Sequence, residues 1–274
     1  MRAAPAEARL TWIGHATFLI GYGGLNILTD PFFSERASPF SFAGPTRYVP
    51  PGIALDDLPK IDVIVISHNH YDSFDNASLE RLAKRNPDTL VLAPLGNAEP
   101  LRKLGFTQVA DMDWYDRTER GGVSFELTPA IHWANRWPWD VDETLWGGFL
   151  IAGADDHLGD KALPKLWFAG DTAIGPVFKD ELAPKIAPVD IALMPIGAFL
   201  PRNFMKAVHA TPEEAVEIAH IMGARTAVGY HWGTLPLGND LPREGRDRFL
   251  AAKADGMRNV VMRIGETKAL ADLR

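Results

Sequence analysis

The stretch DVIVISHNHYDSFD, residues 62–75, decides how this chain is read. Asp62–Ile66 reads as an apolar strand, with Val63, Ile64, Val65 and Ile66 an unbroken β-branched run. Directly after it, His68, His70 and Asp72 occupy alternate positions. In an extended or turning backbone, alternate residues project to one side, so two imidazoles and a carboxylate can converge on one point. That donor set suits Zn²⁺, and also Mn²⁺ or Fe²⁺. The alternative is a polar loop carrying two solvated histidines.

The same design recurs along the chain: a short apolar run that stops at Gly, Asp, His or Asn. LTWIGH (10–15), FLIGYGGLNILTDP (18–31), LVLAPLGN (90–97), SFELTPAIHW (124–133), GGFLIAG (147–153), KLWFAGDT (165–172), DIALMPIG (190–197) and TAVGYHWG (226–233) all fit it. Helical patterns lie between some of them. NASLERLAKR (76–85) follows the His-rich turn, and TPEEAVEIAHIM (211–222) opens with Thr, Pro and two glutamates, a helix-start signature. Strands alternating with helices predict an α/β sheet sandwich. The segments from Leu10 to Asp30 read as hairpins turning at GYGG, so the two sheets are expected to be mixed rather than wholly parallel. With no repeat, low-complexity tract or linker, a single domain over 1–274 is expected. In such sheets ligands sit beyond the strand ends, where the polar residues cluster.

Composition narrows the chemistry. The chain has 274 residues, no cysteine, and 28 Lys+Arg against 35 Asp+Glu, a formal charge of −7. Without thiols, a metal must be held by His, Asp or Glu. The acidic balance argues against a sequence-independent grip on nucleic acid and favours a small-molecule partner. MRAAPAEARLTW at the start has no apolar leader-like region, and no run approaches the ~20 apolar residues of a membrane span. A cytoplasmic protein, peripheral to a membrane at most, is expected; the oligomeric state is not legible.

Three residues from one loop rarely complete a coordination sphere, and other strand ends supply more donors: His132 in TPAIHW, Asp171 in LWFAGDT and His231 in VGYHWG. Each alone reads more readily as a structural residue; it is in company with the first motif that the functional reading gains. Taken in order, HxHxD, a distant His, GD and a final His resemble the metallo-β-lactamase-fold hydrolases. WIGHATFLI (12–20), TDPFFSERASPFSFAGPTRY (29–48), LWGGF (145–149) and MPIGAFLPRNFMKAVHATPEEAV (194–216) resemble more narrowly the N-acylphosphatidylethanolamine phospholipase D branch, with ascorbate-phosphate lactonase-like enzymes as neighbours. The likeness runs from about residue 10 to 234. It implies an αββα sandwich and a metal pair, with His68, His70 and His132 on one ion, Asp72 and His231 on the other, Asp171 bridging, and hydroxide between the ions as nucleophile.

One departure matters. The family's run is HxHxDH, and this chain has Ser73 where the second-site histidine stands. A hydroxyl replaces imidazole poorly, so a weakened second site, or a single ion at His68/His70/His132/Asp171, are both open, and Ser73→His is expected to tighten the second site. Asp75 either reaches the metal or caps the helix from Asn76.

Around this core, the resemblance places Asp30 near the metals, where it could orient a ligand histidine, and His209 in the active site, where it could bind or protonate substrate; alone, Asp30 reads equally as the start of a turn before Pro31 and His209 as a polar residue before a helix. His15 is expected to be a structural hydrogen-bonding histidine nearby, and His157 and His220 to be peripheral. HWANRWPWD (132–140), with Trp137, walls a pocket or packs as a lid. Arg36, Arg47, Arg136 and Arg202 lie in or near site-forming loops; Arg47 and Arg202 could hold a phosphate, although either one alone reads more readily as a surface salt-bridging residue. The expected function is a zinc-dependent phosphodiesterase, using one or two ions, that acts on a phospholipid or smaller phosphodiester. A lactonase or carboxylic-ester hydrolase, and a non-catalytic metal-binding protein, are the alternatives.

Overall fold

The computed structural model describes residues 7–154 and 163–274; His157 and the first six residues lie outside them. The first hairpins form as expected. β1 (Arg9–Gly14), β2 (Thr17–Tyr22) and β3 (Leu25–Thr29) run antiparallel, and the β2–β3 turn uses Gly23 and Gly24 at φ 57° and 79°, values that a side chain would strain. β4 (Val63–Val65), β5 (Leu90–Pro94) and β6 (Gln108–Met112) then add in parallel to β3.

The second sheet holds β7 (Arg117–Arg120), β8 (Val123–Thr128), β9 (Gly148–Gly153), β10 (Leu166–Phe168), β11 (Ile191–Pro195), β12 (Thr226–Tyr230) and β13 (Arg258–Val261) in spatial order, while β14 (Thr267–Ala269) returns to the first sheet beside β1. β10 to β13 pair in parallel and β7 to β10 antiparallel. Among the described residues each sheet has seven strands, and both are mixed.

Three apolar layers hold the sandwich. Trp12, Phe18, Phe125, Phe149, Phe168 and Tyr230 interleave between the sheets, all at most 1% exposed. Outside the first sheet, α1 (Asn76–Arg85) and α2 (Ala98–Lys103) bury Leu79, Leu82 and Leu101 against Ile64 and Val91. Outside the second, α3 (Ala183–Ile186), α5 (Pro212–Ile221) and α6 (Glu244–Ala251) bury Ile186, Ile218 and Phe249, with the short α4 (Arg202–Met205) exposed on the approach to α5. This is the expected α-β-β-α layering.

Two caps set the helices that border the strand ends. The Asp75 carboxylate accepts from the Ala77 N–H and starts α1, so the capping reading of Asp75 is the observed one. Thr211 and Glu214 form a reciprocal capping box on α5. Both helices therefore begin at fixed points beside the polar residues that end β4 and follow α4.

Candidate metal centre

β3, β4, β8, β10 and β12 all deliver their following residues to one edge of the sandwich. β9 is antiparallel to both β8 and β10, so those two run in the same direction and stop together. Asp30, the 67–75 loop, His132, Asp171 and His231 thus meet, although up to about 200 residues separate them in the chain. His15, Asp30 and His231 sit there at φ 54°, 32° and 64°, a left-handed conformation that non-glycine residues adopt only when their surroundings impose it.

Three sets of donors form. Ring nitrogens of His68, His70 and His132 lie within 4.8 Å of one another, as do donor atoms of His15, Asp72 and His231, and of His132, Asp171 and His209. Asp171 stands between the groups. Its Oδ2 is 3.1 Å from His231 Nε2, 3.8 Å from His68 Nε2 and 4.0 Å from His132 Nε2. His231 Nε2 is also 3.5 Å from Asp72 Oδ2, and His132 Nε2 is 3.3 Å from His70 Nδ1. The six residues expected as ligands are thus brought together.

Hydrogen bonds at the outer ring nitrogens aim two of these histidines inward. His132 Nδ1 donates to the Val208 carbonyl at 2.8 Å, leaving Nε2 toward the cluster. His68 Nδ1 is 2.8 Å from Ser67 Oγ, and Ser67 donates both its hydroxyl and its backbone N–H to the Asp30 carboxylate. Asp30 therefore acts on His68 through Ser67 rather than directly, an arrangement that fixes ring and tautomer. Ser67 escaped the sequence reading although it adjoins the motif, because its role depends on a strand 37 residues away.

The donors fit a divalent ion. His68 Nε2, His70 Nε2 and His231 Nδ1 are buried without a hydrogen-bond partner among the described residues, which burial makes costly unless something else is bound there. Burial holds the His68 imidazole well below its ordinary range and, with neighbouring His70, lowers His132 to about 4, so both present neutral lone pairs. Burial opposes charge on Asp72 and Asp171 as well. It is outweighed at Asp72 by hydrogen bonds from His15 and His231, and at Asp171 by the charge of His231, so both carboxylates stay ionised. His231 is the converse case. Burial lowers it, but Asp171 and Asp72 together raise it to about 10.

His209 lies beside the cluster, its ring 5.1 Å from His132 and 5.5 Å from His231, and burial lowers it to about 3. His209, Asp72, Asp171, His70 and His231 reach a pocket walled by Trp133, Phe204, Met205, Val208 and Leu237. Trp133 packs edge-on to His70 at 4.9 Å. Trp137 instead stacks on Trp139 and borders an adjacent groove with Phe40 and Arg36.

Three arginines are tied to protein. Arg202 binds Glu214, Arg136 Nη1 donates to the carbonyls of Asn69 and Phe74 at 2.9 and 2.8 Å, and Arg47 donates to the Phe32 carbonyl at 3.0 Å. Arg136 thereby clamps the two ends of the loop that carries His70 and Asp72. Arg47 keeps Nε and Nη1 buried without protein partners. His15 is buried at the cluster, and His220 lies on α5 away from it.

Known proteins share this fold and parts of this sequence. The family described as "Beta-lactamase superfamily domain" matches residues 25–232. The chain is similar to N-acyl-phosphatidylethanolamine-hydrolyzing phospholipase D 1 of Caenorhabditis elegans, with 36% identity over 89% of this chain and 70% of that protein. It is 30% identical to the mitochondrial enzyme of that name from Saccharomyces cerevisiae, over 87% of this chain but only 50% of the yeast protein. Among solved structures, the metallo hydrolase Igni18 of Ignicoccus hospitalis shares the fold at a TM-score of 0.67 and 23% identity, covering 96% of this chain and 98% of that one. Among the described residues no helix is long and apolar enough to cross a membrane.

Proposed function

Because the chain belongs to the beta-lactamase superfamily, as a metal-dependent hydrolase akin to the N-acyl-phosphatidylethanolamine-hydrolyzing enzymes, we propose that it cleaves a phosphodiester. The substrate class is an N-acylphosphatidylethanolamine-type phospholipid or a smaller phosphodiester, and the metal is zinc. One observation carries the reading: Asp72, Asp171, His70, His209 and His231 line one pocket together with Trp133, Phe204, Met205, Val208 and Leu237. Such a pocket offers polar groups to a phosphate and apolar surface to an acyl chain.

His68, His70 and His132 would hold one ion, Asp72 and His231 a second, and Asp171 would touch both. Bound there, divalent ions activate water at neutral pH and stabilise the charge that develops on the phosphate oxygens. The protein's own groups do the rest. Asp30 and Ser67 keep His68 in one tautomer, and Val208 does the same for His132. His209, neutral at pH 7, is placed to hydrogen-bond a substrate oxygen. Trp133, Met205 and Leu237 set apolar surface beside these polar groups, lowering the local dielectric around them. Phe204, 72% exposed at the pocket mouth, gives a lipid aggregate an apolar contact.

The test is turnover of N-acylphosphatidylethanolamine in mixed micelles made up in ¹⁸O-water. Phosphatidate carrying one heavy phosphate oxygen, together with free N-acylethanolamine, is the expected product pair, with activity lost in His70→Ala. Turnover confined to lactones, with the label in a carboxylate, would overturn the phosphodiester reading.

A further inference from the structure

In the family pattern a histidine follows the motif aspartate; here Ser73 stands in its place, fully buried, with its hydroxyl unpartnered among the described residues. The second site would then have Asp72, Asp171 and His231 alone. Yet a third imidazole is already beside them. His15 Nε2 is 2.8 Å from Asp72 Oδ2, and its ring centroid is 4.1 Å from that of His231. Donor atoms of His15, Asp72 and His231 fall within 4.8 Å of one another, a grouping as compact as that of His68, His70 and His132.

The backbone around His15 is built to keep it there. His15 occupies the β1–β2 turn at φ 54° and 1% exposure. Its N–H donates to Thr234 Oγ1 at 3.0 Å, and its carbonyl accepts from His231 N–H at 3.2 Å and from Trp12 Nε1 at 2.9 Å. These bonds tie the His15 turn to the His231 loop, so the two rings are held as one unit. Phe32 packs edge-on to the His15 ring at 6.0 Å and closes its other side.

We propose that His15 is a ligand of the second metal ion, supplying from the β1–β2 turn the imidazole that Ser73 withholds, so that His15, Asp72, Asp171 and His231 complete a four-donor sphere. Nitrogen and carboxylate oxygen in that ratio suit zinc. This rests on the metal-pair reading above and revises the sequence expectation for His15 and for Ser73. With the position already filled, Ser73→His in the otherwise unchanged chain tightens the second ion by less than ~10-fold, well short of what an added ligand gives an incomplete site.

The decisive variant is His15→Gln, whose amide can still donate to Asp72 but ligates zinc poorly. Metal-free protein is reloaded with zinc, and stoichiometry and stepwise affinity are read by elemental analysis and chelator competition, with circular dichroism as the folding control. The expected result is two zinc ions per chain in the unsubstituted protein and one in His15→Gln, the second-ion affinity falling beyond the ~10–100-fold that loss of an outer hydrogen-bonding partner causes. Zinc-edge X-ray absorption on the unsubstituted protein gives an independent count: five imidazoles over two ions if His15 binds, four if it does not. Two ions in His15→Gln with affinity within ~10-fold, or four imidazoles, would overturn the assignment and leave the metal pair intact. A single ion in the unsubstituted protein also overturns it, and no bound zinc at all overturns the metal-pair reading itself.

Discussion

Arg202 grips both carboxylate oxygens of Glu214, at 3.0 and 2.8 Å, while its Nη1 donates to the His209 carbonyl at 2.6 Å. Glu214 also accepts from the Thr211 N–H at 2.8 Å, so one guanidinium fastens the start of α5 to the residue that reaches the pocket. Arg202 is therefore a positioning residue for His209. Arg202→Lys keeps the charge but loses the fork. It is expected to lower kcat about 10-fold through misplacement of His209, with KM nearly unchanged. Steady-state kinetics on the substrate found by the turnover test decides this. A rise in KM at constant kcat would mean that Arg202 binds the phosphate instead. The stability cost should be about 1 kcal/mol or less, because the pair is roughly 30% exposed on both sides.

Ser67→Ala cuts the relay from Asp30 to His68. The carboxylate of Asp30, pushed well up by burial, keeps the Ser67 backbone N–H but loses the hydroxyl, and His68 Nδ1 loses its partner. Removing such an outer partner typically weakens metal binding ~10–100-fold. The expected loss falls on the ion held by His68, His70 and His132, measured by chelator competition, while the second ion changes little. Equal weakening of both ions would contradict a relay specific to His68.

How much of this was legible beforehand depended on the range of the interactions. The Val63–Val65 strand, the Asp75 and Thr211 caps and the convergence of His68 with His70 follow from local pattern, and the structure shows each, whereas Asp72 groups with His15 and His231 instead, partners that no local pattern announces. Edge strands escaped because their cue is absent. Arg117–Arg120 reads RTER, with no apolar run, and Thr267–Ala269 has three residues. A four-residue helix such as Arg202–Met205 is too short to display a period. What guanidinium groups bind is not written near them. Arg136 meets Asn69 and Phe74 more than 60 residues away, so its role as a loop clamp could only emerge from the fold.

Metal uptake should be coupled to proton release at His231. The two carboxylates outweigh burial and raise its imidazole to about 10 in the metal-free protein, so at pH 7 the ring is protonated. Coordination requires the proton to leave. With the folded value raised, protons compete with metal at every pH below about 10, and apparent affinity rises as pH increases through the neutral range, about tenfold per unit where one proton is displaced. Titration calorimetry at pH 7 in buffers of different ionisation enthalpy reads the proton directly. A binding enthalpy independent of buffer would refute the coupling.

Gly197→Ala tests whether the second sheet positions His231. Gly197 follows β11, and a Cβ added there would overlap the His231 carbonyl oxygen and stand 3.4 Å from Trp232 Cα. Both neighbours are backbone, so relief requires the 231–232 segment to move away from the β11 end. That segment also holds the His231 N–H on the His15 carbonyl, and its displacement pulls His231 from Asp171 and Asp72 together. Overpacking of this kind costs ~1–3 kcal/mol, readable as a lower urea midpoint. The expected metal phenotype is selective. The ion at His68, His70 and His132 is retained, because those residues are anchored on β4 and after β8, while the ion that relies on His231 is lost. Retention of both ions with only a lowered midpoint would show that the loop absorbs the methyl group without moving the imidazole.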